Sequence, residues 1–219
     1  NGVKRFISNA DSADILSIAV RTSAGRGSQG VSVILVERGA AGLSVPRVER
    51  KIALDASHAC EVRLENCRVP ADNLLGEEGQ GFAILMEGLD GARVNVAALA
   101  VGGAQVALDI AALYAKQRVQ FGRPIADFQA IQFMLADMAT HVEAARLLVY
   151  SAATSLDEGR RATKECAMAK RYATDAAFRV ASDAVDILGG YGVLKEAKVE
   201  RLMREAKVGQ IVEGTNQIQ

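Results

Sequence analysis

The spacing of apolar residues changes near Gly81, and no proline follows Pro124 in this 219-residue chain. A proline inside a helix removes a backbone hydrogen bond and clashes with the preceding turn, so its absence leaves the C-terminal part free to run as long helices. Phe82, Leu85, Met86 and Leu89 mark one helical face, which Val96, Leu99, Val106, Ile110, Leu113 and Tyr114 continue. A second stripe steps by four and three through Ile131, Leu135, Met138, Val142, Ala145, Val149, Ala152 and Leu156, and Gly159 ends it. A third, alanine-rich stripe runs through Cys166, Ala169, Ala173, Ala176, Val180, Ala184 and Ile187 to Gly189-Gly190. A shorter fourth takes in Val199, Leu202, Met203 and Ala206 before Gly209. Stripes of this period bury themselves on antiparallel neighbours, and alanine faces permit close approach.

Before Gly81 the pattern is that of strands. Residues 3–8 alternate, residues 15–21 and 31–36 are strand-length runs rich in β-branched side chains, and Val62-Arg63-Leu64-Glu65 alternates apolar with charged. Residues 71–81, after Pro70, read as a linker. Gly25-Arg26-Gly27-Ser28-Gln29-Gly30 satisfies the dinucleotide pattern G-x-G-x-x-G, but that pattern needs a helix behind it, and a strand-like run follows. A flexible hairpin is expected there. The fold class is α+β: a partial β-barrel or sandwich segment followed by an antiparallel four-helix bundle. The chain opens on Asn1 with a strand already in progress, so it reads as the later part of a longer protein.

The 26 basic and 26 acidic residues leave no basic excess of the kind that binds nucleic acid. No run of eighteen uncharged apolar residues marks a membrane span, and no signal peptide opens the chain. Cys60, Cys67 and Cys166 have no metal-like spacing and read as buried free thiols in a reducing compartment, with no metal site. His58 and His141 read as structural.

Two stretches carry chemistry. In Val212-Glu213-Gly214-Thr215-Asn216-Gln217 a carboxylate precedes a glycine, which lets backbone and substrate come close, and then three side chains that donate or accept neutral hydrogen bonds. Taken alone, such a run is more often a loop capping a helix. In Arg118-Val119-Gln120-Phe121-Gly122-Arg123-Pro124-Ile125 two forked donors suit phosphate and Phe121 offers a face for a flat ring. Basic residues matched to a helix C-terminal dipole explain that stretch equally well.

Together with Phe128-Gln129-Ala130-Ile131-Gln132, the Gly-Gly-Tyr-Gly segment at 189–192, the run at 199–207 and the opening Asn-Gly-Val-Lys-Arg-Phe-Ile-Ser, these stretches resemble the acyl-CoA dehydrogenases along essentially the whole chain. The resemblance implies residues 1–75 as the C-terminal part of a middle β domain and 76–219 as a C-terminal four-helix bundle. It implies FAD-dependent α,β-dehydrogenation of an acyl-CoA thioester to the trans-2-enoyl-CoA. Glu213 would be the base, and flavin N5 the hydride acceptor. An acyl-CoA oxidase-like enzyme passing electrons to oxygen, or a non-catalytic helical-bundle fragment, are the alternatives. Some members place the base one residue before the Arg of Leu-Asp-x-x-Arg; here that position is Ala92, which takes no proton.

By the same resemblance, Phe6 and Ser8 lie against the flavin ring, Arg118 and Phe121 reach the FAD of a neighbouring subunit, Gly189 and Gly190 line its adenine side, and Thr215 and Gln217 meet the diphosphate. Asp90, Arg93 and Gly214 fall on the substrate. Asp90 and Arg93 equally fit a helix-surface ion pair at i, i+3. Asp186, where many relatives carry Gln, stays outside the site. The implied partners are acyl-CoA, an electron-transferring flavoprotein and further copies of the chain in a homotetramer or homodimer. The implied location is the cytoplasm, or the mitochondrial matrix in a eukaryote. A carboxylate is a weak base for a carbon acid; a mismatch on the order of ten pKa units asks about 14 kcal/mol of the site.

Overall fold

Valine- and isoleucine-rich segments fit a pleated surface, where branched side chains are already restricted in rotamer. The computed structural model describes residues 1–24 and 27–219. It divides into two compact units, Asn1–Gly88 and Leu89–Gln219.

The first unit holds strands β1 (Gly2–Ser8), β2 (Ile15–Arg21), β3 (Val31–Glu37), β4 (Leu43–Val48), β5 (Ala59–Leu64) and β6 (Leu74–Leu75). They form two antiparallel three-stranded sheets, ordered β1-β5-β4 and β2-β3-β6. Leu16, Ile18 and Val36 from one sheet and Cys60, Val62 and Leu64 from the other share one buried cluster, as alternation on a half-buried strand requires.

One reading of this unit changes, and one strand escapes the sequence. Residues 71–81 are not a free linker: Ala71–Asn73 is a 3-10 turn, Asn73 Nδ2 donates to the Leu35 carbonyl at 2.9 Å, and β6 pairs with β3. Strand β4 was not legible because Pro46 interrupts it. The proline falls where the β4–β5 register shifts, on an edge strand, so its missing N–H breaks no ladder. The hairpin expected at the glycine-rich hexapeptide is present: β2 and β3 pair antiparallel on either side of it, from Ile15–Glu37 to Arg21–Val31, and Gly27–Gly30 is a 3-10 turn, while Gly25 and Arg26 lie outside the described residues.

Helix α1 (Gly81–Gln117) begins in the first unit and becomes the first helix of the second. There α2 (Gln129–Asp157), α3 (Thr163–Leu188) and α4 (Val199–Gly209) complete the bundle. A two-stranded hairpin, β7 (Val119–Gln120) and β8 (Arg123–Pro124), joins α1 to α2. The stripes expected for α2 and α3 are the buried ones: Met138, Val142, Ala145, Val149 and Ala152 on α2, and Cys166 through Ile187 on α3.

Helix α1 is buried on a different face. Val94, Ala97, Val101, Ala104, Ala107, Ala111 and Ala115 enter the core, while Leu99 is 65% exposed and Val106 and Leu113 also face outward. The larger side chains dominate a hydropathy pattern, but it is the alanines of α1 that share buried clusters with side chains of α2 and α3. By length and composition α1 could cross a bilayer. Its alanine face, packed against Met138, Val142 and Val180, makes it a core helix of the bundle.

Candidate active site

After α4 the chain turns back with Ile211 and Val212 bonded to the Val208 carbonyl, and then Glu213 takes φ 52° and Gly214 φ 90°. For a non-glycine residue the left-handed region costs about 1–2 kcal/mol, so the surroundings must hold it. They do so through the carbonyls. The Glu213 oxygen accepts from Gln219 Nε2 at 3.1 Å and from Arg93 Nε at a long 3.4 Å. The Gly214 oxygen accepts from Lys170 Nζ at 2.7 Å and from the same Gln219 amide at 3.1 Å. The Glu213 N–H donates to no acceptor among the described residues, and its side chain is half-buried.

Arg93 also pairs with Asp90 at 3.3 Å, and Asp90 accepts from Thr163 Oγ1 at 2.6 Å. Both charged side chains are largely buried, so the pair is not on the helix surface. Asp90, Arg93, Glu213 and Gly214 therefore belong to one hydrogen-bonded knot joining α1, α3 and the C-terminal loop.

Lys170 was not singled out from sequence. It is 0% exposed, with Nζ on Gly214 O and on Asn216 Oδ1 at 2.8 Å. Asn216 Nδ2 in turn donates to Thr174 Oγ1 and Asp175 Oδ1, each at 2.8 Å, and Thr174 Oγ1 donates to the Lys170 carbonyl at 2.9 Å. Burial pushes the Lys170 ammonium down to about 8, against the pull of the Asp175 and Glu213 carboxylates. The available signal was a lysine and a threonine four apart on the buried side of an alanine stripe.

The second stretch builds a cleft. Tyr114, Arg118, Ile187, Gly189, Gly190 and Tyr191 line a cavity of about 540 Å³. The Arg118 guanidinium sits 5.9 Å from the centre of the Tyr191 ring. A Cβ at Gly189 or Gly190 would meet nothing within 4 Å, so that wall opens onto free space. Aromatic faces, a guanidinium and a side-chain-free wall suit a flat heteroaromatic ring with a phosphate attached. The tip of the β7–β8 hairpin is Phe121-Gly122, both at positive φ, the geometry of a two-residue type I′ turn in which Asn-Gly is usual. Phe121 is 92% exposed, with its ring edge-on to Phe128.

In the first unit, Phe6 occupies a break in the β1–β5 register with φ 58° and is 72% exposed, so a bulge pushes its ring outward. Ser8 lines a separate cavity of about 300 Å³ with Lys4, Ile7, Leu16 and Ile18. Thr215 is half-buried and Gln217 exposed. Asp186 is exposed and stands outside the cleft lining. His58 bonds Asp11 at 2.6 Å; His141 lies between Tyr172 and Arg179. Arg179 donates to His141 Nε2, which makes Nδ1 the protonated nitrogen and Tyr172 its acceptor.

Family models match twice: the acyl-CoA dehydrogenase middle domain over residues 1–67 and the acyl-CoA dehydrogenase C-terminal domain over residues 79–219. An acyl-CoA dehydrogenase of Bacillus subtilis (strain 168) is 52% identical over 219 residues, covering 100% of this chain and 58% of the relative. A short-chain-specific acyl-CoA dehydrogenase of Megasphaera elsdenii is 48% identical over 219 residues, with 100% and 57% covered. The solved butyryl-CoA dehydrogenase of Megasphaera elsdenii superposes with a TM-score of 0.97 at 47% identity, over 100% of this chain and 57% of that one. The chain thus spans little more than half the length of the proteins it matches.

Proposed function

The chain belongs to the acyl-CoA dehydrogenase family, and on that basis we propose that its parent protein oxidises an acyl-CoA thioester to the 2-enoyl-CoA with Glu213 as the base. In this reading the bond from the α-carbon to hydrogen breaks and the proton passes to the Glu213 carboxylate. The β-carbon gives up a hydride, and the carbon–carbon double bond forms between them. FAD, when bound, supplies the two-electron acceptor for that hydride. The observation that carries the reading is the backbone at Glu213: a strained left-handed residue whose own carbonyl and that of Gly214 are fastened by side chains from α1, α3 and residue 219, while its N–H has no acceptor among the described residues. An unspent N–H beside a carboxylate suits a thioester oxygen that gains negative charge as the proton leaves.

Arg118 would reach the FAD of a neighbouring copy in the cleft it lines with Gly189 and Gly190, which would take the adenine side, with Thr215 and Gln217 toward the diphosphate. Phe6 and Ser8 would lie at the flavin ring, and Asp90 and Arg93 would support the thioester arm. Phe121, on a hairpin tip, would meet the cofactor of another copy, which implies a homodimer or homotetramer. Residues 1–75 would serve as β domain and 76–219 as helical domain. The electrons would leave to an electron-transferring flavoprotein, and three free thiols suit the cytoplasm or a mitochondrial matrix.

The test is Glu213→Gln in the full-length protein. The variant should stay yellow with bound flavin and should no longer bleach with acyl-CoA. Bleaching at near the wild-type rate removes Glu213 from the role.

A further inference from the structure

We propose that Lys170 is a positioning residue whose buried ammonium, bridging the Gly214 carbonyl and the Asn216 side chain, fixes the backbone that presents Glu213. The inference rests on Glu213 being the base, and assigns to a helix residue some 40 positions upstream the task of aiming it.

The geometry argues for more than packing. The conformation at Gly214 is set by the peptides on either side of it. The peptide before it is held through the Glu213 oxygen by Arg93 and Gln219, and the peptide after it through the Gly214 oxygen by Lys170 and Gln219. Only Lys170 makes the second attachment from a long helix, and at 2.7 Å its bond is the shortest of the set. A flexible glycine with φ 90° gives the loop no stiffness of its own, so the direction of the Glu213 side chain depends on these external bonds.

An ammonium is also a costly group to bury, and a merely structural link needs no charge. Here the charge is answered by a carbonyl and an amide oxygen whose own partners are fixed. Asn216 is oriented by Thr174 and Asp175, and Asp175 is further held by Gln210 Nε2 at 2.7 Å. The charged groups around it are Asp175 on α3, Arg93 on α1 and Glu213 on the loop. Charge-assisted hydrogen bonds are roughly twice as strong as neutral ones, which suits a tether that must withstand substrate entry.

The experiment uses full-length holoprotein carrying Lys170→Met, with Asn216→Ala as the second variant and Glu213→Gln as the reference. Displacing a base by a fraction of an ångström lowers the chemical step, so Lys170→Met should keep its flavin and reduce it about 100-fold more slowly, with the half-saturating acyl-CoA concentration changed less than about threefold. The isotope effect of substrate deuterated at the α-carbon should rise, because proton abstraction becomes limiting. Asn216→Ala, which leaves the Gly214 bond intact, should slow reduction about three- to tenfold with the same signature. Flavin reduction by Lys170→Met within about twofold of wild type overturns the proposal. So does a slowing accompanied by flavin loss and an unchanged isotope effect, which marks general loosening. If Lys170→Met does not fold, Asn216→Ala decides, and an unchanged rate and isotope effect there are negative. Normal bleaching by Glu213→Gln would instead defeat the assignment of the base.

Discussion

The guanidinium of Arg93 reaches the backbone carbonyl of Glu213, 120 residues further along the chain, while holding Asp90 one turn before it on the same helix. One side chain thus joins a helix-local ion pair to the loop that carries the proposed base. The pair lies largely out of solvent, where removing one partner leaves the other charge uncompensated.

Arg93→Leu should therefore destabilise the helical unit by about 2–4 kcal/mol, because among the described residues Asp90 then keeps only the Thr163 hydroxyl. Asp90→Asn, which preserves size and a donor–acceptor group, should cost less than half of that. Urea denaturation of the two variants beside wild type measures both; equal and negligible losses would mean the pair is solvated in solution.

Lys170 gives a pH dependence with a definite sign. Its ammonium is pushed from 10.5 to about 8, so between those values the unfolded chain binds a proton that the folded chain has lost. Stability then rises with pH through that window, by up to about 3 kcal/mol for a group buried to this degree. The stability difference between wild type and Lys170→Met should accordingly shift in favour of wild type from pH 7.5 to pH 10, read from denaturation midpoints at each pH. A difference that stays flat would place the amine in contact with water.

Phe121 combines strain with exposure. Asparagine tolerates the left-handed φ of 53° better than phenylalanine, so Phe121→Asn should leave thermal stability unchanged or raise it by about 0.5–1 kcal/mol. If its ring meets the cofactor of a second copy, the same variant should retain less flavin after dialysis. Visible absorbance against protein concentration checks this, and full retention would leave the strained ring without a purpose in cofactor binding.

The residues that were legible and those that were not differ in a physical way. The α2 and α3 stripes could be read because helix period and side-chain size favour the same face, as at Met138, Val142 and Val180. On α1 the two disagreed. Leu99, Val106 and Leu113 outweigh alanine in any hydropathy pattern, yet Ala104, Ala107, Ala111 and Ala115 are the residues in the core. The Glu213-Gly214 run and the Arg118 segment were visible as motifs, and Arg93 was marked by resemblance, but Lys170, which holds the Gly214 carbonyl, was not. Lys170 reads as one more charge on an alanine-rich helix until its partners at 214 and 216 are known.

Sequence by itself determined where the helices and most strands lie, since backbone preference and hydrophobic period are local properties, and it marked the carboxylate and the arginine around which a site could form. Tertiary structure decided which face of α1 is buried, that Asp90 and Arg93 are bound to the Glu213 loop, and that a lysine ammonium lies inside the bundle. Those outcomes depend on close approach between segments far apart in the chain, where side-chain volume and the satisfaction of buried hydrogen bonds prevail over any preference written in neighbouring residues.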